Sequence, residues 1–354
     1  MIASIGLWSY DGAPVSGCDR HQASGATMDN RLRGRSSNIT AKKGADVPLK
    51  FRVFLHSHLG FNSNSTLFYG ERDAILIDAC TLLSDAHAMV ADIIQMRRNL
   101  THIYVSHFHP DHHFALGVLQ FAFPSAKVVA LRSVARDIVY TAVDKLDMWS
   151  LGRFGVDMPT KTTIPLPLNE ARLELEGEEL LFYDDWEGDS INNSVVWVPS
   201  MGVVCATDVA FHGCNLWTIE SNVERRVKWR ADMKRLLDFD PRVIIPGHHD
   251  EPELRTLRDV EGDASRSYLD CVDWSVRYLD VYDEVLAGAK NGADLVQGVN
   301  RHYGDVRAAD FNIQWQTRML FPRTAPSWLL PLPGPIGKIF LNPSGVYDGD
   351  PPRE

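Results

Sequence analysis

Short apolar runs that stop at polar residues recur along the first 250 residues of the chain. The clearest is residues 101–105, an apolar and β-branched run that stops at Ser106, and it predicts a buried strand. Residues 82–98 instead carry apolar side chains at helical spacing, with Ser84 and Asp85 near the start and two arginines at the end. Strands alternating with helices in this way predict an α/β architecture.

The same two periodicities predict the remaining elements. Further strands are predicted at residues 51–55, 65–69, 74–78, 127–131, 172–176, 179–183, 194–198, 202–206 and 243–245. Further helices are predicted at residues 114–123, 133–151, 220–237, 253–259, 265–289 and 292–302. Residues 1–48 show no sustained period and predict a flexible leader, and the tail from Pro322 is rich in proline and glycine.

Composition excludes several classes of protein. The 354 residues are 45% hydrophobic and 23% charged, with a formal net charge of −10 and no basic run, which argues against a nucleic-acid partner. No apolar run approaches a membrane span, the start lacks a signal peptide, and five cysteines without C-x-x-C spacing argue against a disulfide framework. We expect a cytoplasmic protein with a small-molecule substrate and no membrane partner, and leave a homodimer open.

The densest chemistry lies directly after the strand at residues 101–105, where His107, His109, Asp111 and His112 fall within six residues. Imidazole and carboxylate are common ligands of divalent cations. His107 and His109 are two apart and point the same way on an extended segment, whereas Asp111 and His112 follow a proline turn. This pattern predicts two neighbouring metal ions, and an exposed histidine-rich loop is the alternative.

Residues 106–113, Ser-His-Phe-His-Pro-Asp-His-His, resemble the His-x-His-x-Asp-His signature of the metallo-β-lactamase superfamily. Three other predicted strands, one before this segment and two after it, end in residues that match the family in the expected order. The resemblance implies that Asp78 supports the metal ligands from outside, that Asp208 bridges two metals, and that His248 is the last histidine ligand. A simple turn carboxylate is the alternative for Asp78, and His249 is the neighbouring alternative to His248.

One segment departs from the family. Where the family has Gly-His, this chain has Gly188-Asp189, and no histidine lies between His113 and His212 to replace the missing one. Either Asp189 binds metal through oxygen, or the site holds one metal or none. Carboxylate is an accepted ligand, and some branches such as the alkyl sulfatases use one at this place. We therefore assign Asp189 as a ligand.

The resemblance covers about residues 50–250 and implies an αββα sandwich of two mixed β-sheets flanked by helices. It suggests three regions: a leader at 1–48, a catalytic core at 49–250, and a helical extension with a Pro-rich tail at 251–354 that packs on the core. It further implies two divalent ions, most readily Zn²⁺, with iron or manganese open. The resemblance implies that His107, His109 and Asp189 bind the first metal. It implies that Asp111, His112 and His248 bind the second metal, and that Asp208 bridges the two.

The implied activity is that of a dinuclear metal-dependent hydrolase, lactonase-like or esterase-like. A metal-bound hydroxide would attack a carboxylic ester, lactone or thioester, with Asp111 holding the hydroxide or passing a proton to the leaving group. Two divalent ions together with two aspartates and a hydroxide have a net charge of +1, and adding Asp189 as a ligand brings that net charge to zero. A neutral site favours a neutral substrate or harder metal ions, and a lysine or arginine in the pocket would reverse the first preference.

The substrate pocket is harder to predict. Its candidates are His56, His58, Trp186 and His212, against the alternative of exposed histidines and a packed tryptophan. The aromatic segment 311–315 is a further candidate to cover the opening. Other functions left open are an iron-dependent dioxygenase, an alkyl sulfatase, and a non-catalytic, metal-poor binding module.

Overall fold

The computed structural model describes residues 48–150, 154–250, 270–304, 310–321, 343 and 349–353. The chain divides into two units, Met1–Asp46 and Val47–Glu354, and the described residues belong to the second. Their strands are β1 Lys50–Leu55, β2 Asn64–Tyr69, β3 Asp73–Ile77, β4 Asn99–Val105, β5 Lys127–Ala130, β6 Leu166–Pro167, β7 Arg172–Leu175, β8 Glu178–Trp186, β9 Asn193–Val198, β10 Val203–His212 and β11 Val243–His249. Their helices are α1 Leu83–Met96, α2 Leu116–Ala122, α3 Arg132–Ser150, α4 Val223–Arg235, α5 Asp270–Gly288, α6 Gly292–Tyr303 and α7 Asp310–Leu320.

The strands form two mixed sheets. In the first, the order is β1-β2-β3-β4-β5-β6, with antiparallel pairing from β1 to β3 and parallel pairing from β3 to β6. In the second, the order is β11-β10-β9-β8-β7, and only β10 and β11 are parallel. Since β9 is antiparallel to both β8 and β10, strands β8, β10 and β11 all run in one direction. Their carboxyl ends therefore reach the same edge of the sheet.

A continuous apolar core joins the facing sides of the two sheets. The ring of Tyr104 on β4 stacks on Phe182 on β8, with centroids 3.9 Å apart. The hydroxyl of Tyr104 lies 2.7 Å from Ser194 Oγ on β9, so its polar end also has a partner in the opposite sheet. Burying two aromatic rings against each other in this way stabilises the contact between the sheets.

Helices cover both outer faces. Buried residues of α1, α2 and α3 extend the core that contains the first sheet. Helices α4, α5, α6 and α7 form a second cluster with β10 and β11, centred on the buried Trp229 and Leu279. The architecture is thus an αββα sandwich of two mixed sheets with C-terminal helices on its second face, which confirms the predicted fold class.

Several element boundaries differ from the prediction. Strand β10 runs to His212 and β11 runs to His249, beyond the apolar stretches that predicted them. Helix α4 starts at Val223, where Asn222 Oδ1 accepts a hydrogen bond from Arg225 N at 2.9 Å and caps the first turn. The two-residue β6 was not predicted because it is too short to show a period.

Some predictions lie outside the described residues. These are the leader up to residue 47, the helix at 253–259, and most of the tail from Pro322. The domain limits at 48/49 and 250/251 therefore stay a prediction. Among the described residues, no helix is both long enough and apolar enough to cross a bilayer.

Candidate metal centre

The predicted ligands leave the carboxyl ends of four strands. His107 and His109 follow β4, and a single 3-10 turn, Pro110–His112, carries the next two ligands. The remaining three leave the second sheet: Asp189 follows β8, Asp208 lies within β10, and His248 lies near the end of β11. The common direction of β8, β10 and β11 brings these three to one edge, opposite the end of β4.

A local irregularity in β10 directs Asp208 into the site. The register of β10 against β11 shifts on both sides of Thr207, whose φ is 50°, in the left-handed region. A bulge of this kind changes the direction of the next side chain. On β11, Gly247 lies so close that a β-carbon there would overlap Asp208 Oδ1 and lie 2.6 Å from the carbonyl carbon of Thr207. Only glycine allows this approach.

All seven predicted ligands come together in two buried groups. One group contains His107, His109, Asp189 and Asp208, and the other contains Asp111, His112, Asp208 and His248. Within each group, one nitrogen or oxygen atom per residue lies within 4.8 Å of all the others. Asp208 belongs to both groups, which is the position predicted for a bridging carboxylate.

The carboxylates of Asp208 and Asp189 lie close to the ring nitrogens of the four histidines. Asp208 Oδ1 lies 3.2 Å from His112 Nε2, whereas its Oδ2 lies 3.5 Å from His107 Nε2 and 3.1 Å from His248 Nε2. Asp189 Oδ2 lies 2.7 Å from His109 Nδ1, and its Oδ1 lies 3.8 Å from His107 Nε2. The aspartate in place of the family's histidine thus faces the two histidines of its own group.

The donor atoms fit divalent cations. His107 Nε2, His112 Nε2 and Asp208 Oδ1 are buried and have no hydrogen-bond partner among the described residues. Leaving such atoms unsatisfied costs free energy in an apolar interior. Imidazole nitrogens and carboxylate oxygens converging on shared points are the donor set that zinc and related ions accept.

Each histidine of the site is also held from its other ring nitrogen. The outward nitrogens and their partners are His107 Nδ1 with Ser106 Oγ at 3.0 Å, His109 Nε2 with Glu220 Oε1 at 3.1 Å, His112 Nδ1 with Asp78 Oδ2 at 3.0 Å, and His248 Nδ1 with the Phe61 carbonyl at 2.9 Å. An acceptor on the outer nitrogen fixes the proton there and leaves the inner nitrogen free to bind a cation.

Asp78 lies where the sequence placed it, at the end of β3 and behind the histidines. Its carboxylate accepts hydrogen bonds from the Ser106 backbone and from Ser106 Oγ, both at 2.7 Å, in addition to the contact with His112. The φ of Asp78 is 62°, a strained value for a residue other than glycine. The backbone at this strand end is therefore set by the hydrogen bonds of its side chain.

The electrostatics of the site are those of opposed charges buried together. Burial raises the pKa of Asp208, but His112, His248 and His107 outweigh it and hold that pKa well below its usual range. Burial lowers the pKa of His112, but Asp208 and the neighbouring carboxylates outweigh it and hold that pKa well above its usual range. Burial also raises the pKa of Asp189 to about 7, because His109 offsets the desolvation only in part. Cations bound among these groups would replace protons.

A cavity opens onto the two groups. Four of the predicted ligands line it, with aromatic walls and three further polar residues, of which Lys145 and Glu220 were not indicated by the sequence. The complete lining is Phe61, His109, Pro110, Asp111, Lys145, Trp149, Asp189, Trp217, Glu220, His248 and Asn312. The segment predicted to cover the opening contributes Asn312 from α7.

The four predicted pocket candidates are not among the described lining residues. His56 is buried beneath the site against Ser65, at 2.7 Å from Nε2 to Oγ, and His58 is exposed. Trp186 packs in the second core cluster, with the Arg235 guanidinium 3.6 Å from its ring centroid. His212 lies at the end of β10 against His249, with ring centroids 4.9 Å apart. His56 and His58 were candidates because they lie in the loop after the first strand, and Trp186 and His212 because they are close in sequence to a predicted ligand. Neither reason identifies the residues that line the cavity.

Lys145 and Glu220 were missed for different reasons. Lys145 lies on the buried stripe of α3 with Ile138, Ala142 and Met148, so a lysine at a helical spacing of core residues was the signal available. Glu220 lies in the irregular segment between β10 and α4, where no period marks a residue as buried. Its contact with His109 depends on tertiary structure alone.

The comparisons with known proteins agree with this geometry. The family model described as the metallo-beta-lactamase superfamily matches residues 58–248, more than half of the chain. The fold and the site define a metallohydrolase-like αββα protein, and the chain belongs to the metallo-β-lactamase superfamily. No curated protein matches the chain.

Solved structures of the same fold are distant in sequence. A metallo-beta-lactamase family protein from Thermus thermophilus is 17% identical over 76% of this chain and 93% of its own, with a TM-score of 0.48. A metallo-beta-lactamase from Pontibacter korlensis is 14% identical over 62% of this chain and 87% of its own, with a TM-score of 0.42. A mono-zinc metallo-beta-lactamase from Pseudomonas aeruginosa is 14% identical over 64% of this chain and 90% of its own, with a TM-score of 0.40.

Proposed function

We propose that this protein is a hydrolase of carboxylic esters, lactones or thioesters that works with two divalent cations, most readily Zn²⁺. The observation that carries the proposal is Asp208, which belongs to two ligand groups that meet at one cavity. Members of the superfamily are mostly metal-dependent hydrolases. When bound, divalent cations in such sites supply Lewis acidity and lower the pKa of water to about 7.

The residues of the site have different roles in the proposed reaction. The seven predicted ligands would hold the cations, and Asp78 and Glu220 orient His112 and His109 from behind. Asp111 lines the cavity, with Oδ2 3.2 Å from His248 Nε2. Burial raises the pKa of Asp111, but His112 and His248 outweigh it and keep that pKa below its usual range. We assign to Asp111 the role of accepting a proton from the attacking water and delivering it to the leaving group.

Asp189 is assigned to the first group of ligands, in place of the family's histidine. We expect Asp189→Ala to lower the number of metal ions bound per chain from two to one, because the first group then keeps only His107, His109 and the Asp208 that it shares with the second group. Metal analysis of the purified variant tests this assignment. An unchanged metal content in Asp189→Ala would show that this carboxylate is not a ligand.

The proposed activity is tested with a panel of esters, lactones, thioesters, alkyl sulfates and persulfides on the metal-loaded protein. We expect hydrolysis of one of the first three classes and its loss in Asp111→Asn, which keeps the shape of the side chain but removes the charge that serves as both metal ligand and base. Oxidation of a persulfide with one iron per chain, or hydrolysis of alkyl sulfates only, would contradict the proposal. So would a protein that binds no metal.

A further inference from the structure

Lys145 is a buried lysine that faces the cavity. It lies on α3, its side chain lines the cavity, and the residue is 3% exposed. Among the described residues, no carboxylate oxygen lies within 4.0 Å of Nζ and no hydrogen bond reaches it; its contact is with the ring of Phe108, 4.4 Å to the centroid. A buried ammonium without hydrogen-bond acceptors is costly. Its three N–H donors are therefore available to a molecule in the cavity.

The carboxylates that face Lys145 across the cavity are Glu220, Asp189 and Asp111. Each of them already has a closer partner. Glu220 accepts from Trp217 Nε1 at 3.2 Å and lies 3.1 Å from His109 Nε2. Asp189 lies 2.7 Å from His109 Nδ1, and Asp111 faces His248. Burial lowers the pKa of Lys145, and these carboxylates offset that shift in part at longer range without occupying its donors.

We propose that Lys145 binds a carboxylate group carried by the substrate and so determines which substrate the site accepts. The inference rests on the proposed function and narrows its substrate class to an ester, lactone or thioester that also carries a carboxylate. Phe61, Trp149 and Trp217 line the same cavity, so the body that joins the carboxylate to the reacting carbonyl is flat or apolar. Lys145 restores the positive charge that Asp189 removes, which reverses the preference for a neutral substrate.

A single lysine selects a monoanion. A phosphate group carries a second negative charge that the single ammonium of Lys145 would leave unbalanced, because the ligand set with Asp189 already neutralises the two cations. A carboxylate fits the single cation and leaves the other groups as they are.

The test compares Lys145→Met with the wild type on matched substrates. Methionine keeps an unbranched apolar side chain only one atom shorter, which can still contact Phe108, but removes the charge. For an aryl ester that carries a carboxylate, we expect kcat/KM to fall about 10- to 100-fold, mostly through KM, since hydrogen bonds to charged groups are worth about 1.5–3 kcal/mol. For the same ester with a carboxamide instead, we expect less than about a threefold change. Lys127→Met, an exposed lysine on β5, is the matched control.

A binding measurement separates this inference from the proposed function. Trp149 and Trp217 line the cavity, so tryptophan fluorescence can follow binding of phenylacetate and phenylacetamide to the metal-loaded protein. We expect Lys145→Met to weaken phenylacetate about tenfold or more and to leave phenylacetamide unchanged. That result would support the role of Lys145 even if no ester is hydrolysed. Equal losses for both ligands, no loss for either, or inorganic phosphate binding tighter than phenylacetate would overturn the proposal.

Discussion

Each of the four histidines of the site uses both ring nitrogens. One nitrogen faces the ligand group, and the other contacts a hydrogen-bond acceptor outside that group. For His109 that acceptor is Glu220, which no pattern in the sequence indicates. Glu220 also faces the cavity and Lys145, so it connects metal binding to the substrate side of the site. Residues of this kind are as consequential for metal affinity as many direct ligands.

Removing the carboxylate of Glu220 should weaken metal binding. We expect Glu220→Ala to lower metal affinity about 10- to 100-fold, because the ring of His109 loses the acceptor that fixes its proton on Nε2. Glu220→Gln should lose much less, since its amide oxygen can still accept. Competition with a chromophoric chelator measures both, with the exposed Glu224→Ala as control. Equal affinity in Glu220→Ala and the wild type would contradict this role.

Buried neutral histidines next to the site make the fold sensitive to acid. Burial, with a contribution from His112, lowers the pKa of His56 from 6.5 to about 3. Between these values the unfolded chain binds a proton at His56 and the folded chain does not, so the free energy of unfolding falls as pH falls.

Replacing His56 should therefore reduce the acid sensitivity of the protein. Between pH 7 and pH 5, the wild type should lose about 2 kcal/mol more of its free energy of unfolding than His56→Gln, as the one proton at this residue requires. Urea unfolding at the two pH values measures the difference, and His58→Gln, an exposed histidine two residues away, is the matched control. The same loss in wild type and His56→Gln would show that His56 is not the group responsible.

At the residue scale, the residues predicted as ligands lie together, whereas the residues predicted for the pocket do not line the cavity, and the difference has a physical reason. His107, His109, Asp111 and His112 lie in one short segment, so their spacing alone carries the signal. Lys145 reaches the cavity from a helix whose docking on the first sheet is set by tertiary packing. Nothing within a few residues of it in sequence could indicate a substrate contact.

At the scale of the elements, the strands β10 and β11 are longer than their apolar stretches. The prediction stopped at residues 206 and 245, because the polar residues that follow look like loops. In the structure the strand pairing continues to His212↔His249, and the polar side chains of this stretch contact other polar groups of the protein instead of solvent. Hydropathy follows burial only for apolar side chains, so a buried polar site interrupts the pattern without ending the strand.

The C-terminal helices are tied to these strands. Ser275 Oγ on α5 accepts from Phe211 N at 2.9 Å and donates to Phe211 O at 2.7 Å. The ring of Phe211 stacks on His248 with centroids 4.6 Å apart. Helix α5 thus supports the strand positions next to the site, although the sequence resemblance ends before it.

The close approach of β11 to the bulge in β10 gives an element-scale prediction. We expect Gly247→Ala to destabilise the protein by about 1–3 kcal/mol and to lower its metal content, because the added methyl group displaces Asp208. Gly117→Ala in α2, where a β-carbon meets no atom within 4 Å, is the matched control and should raise stability by about 0.5–1 kcal/mol. Thermal unfolding and metal analysis measure both. Full metal content in Gly247→Ala would contradict the packing described here.

At the scale of the whole molecule, the two sheets meet along one core and open at one edge into the ligand groups. The fold class followed from the alternation of strands and helices and from the resemblance at residues 106–113. The two-residue β6 and the way α5 packs on β10 did not, because short edge strands and helix docking leave no period in the sequence.

The central claim is that two cations share Asp208. It is tested most directly by counting metal ions per chain at increasing free Zn²⁺, in the wild type and in Asp208→Ala. The two groups predict two ions per chain in the wild type and at most one in Asp208→Ala, because each group loses a ligand. A wild type that saturates at one ion or none, or an Asp208→Ala variant that still binds two as tightly, would contradict the account.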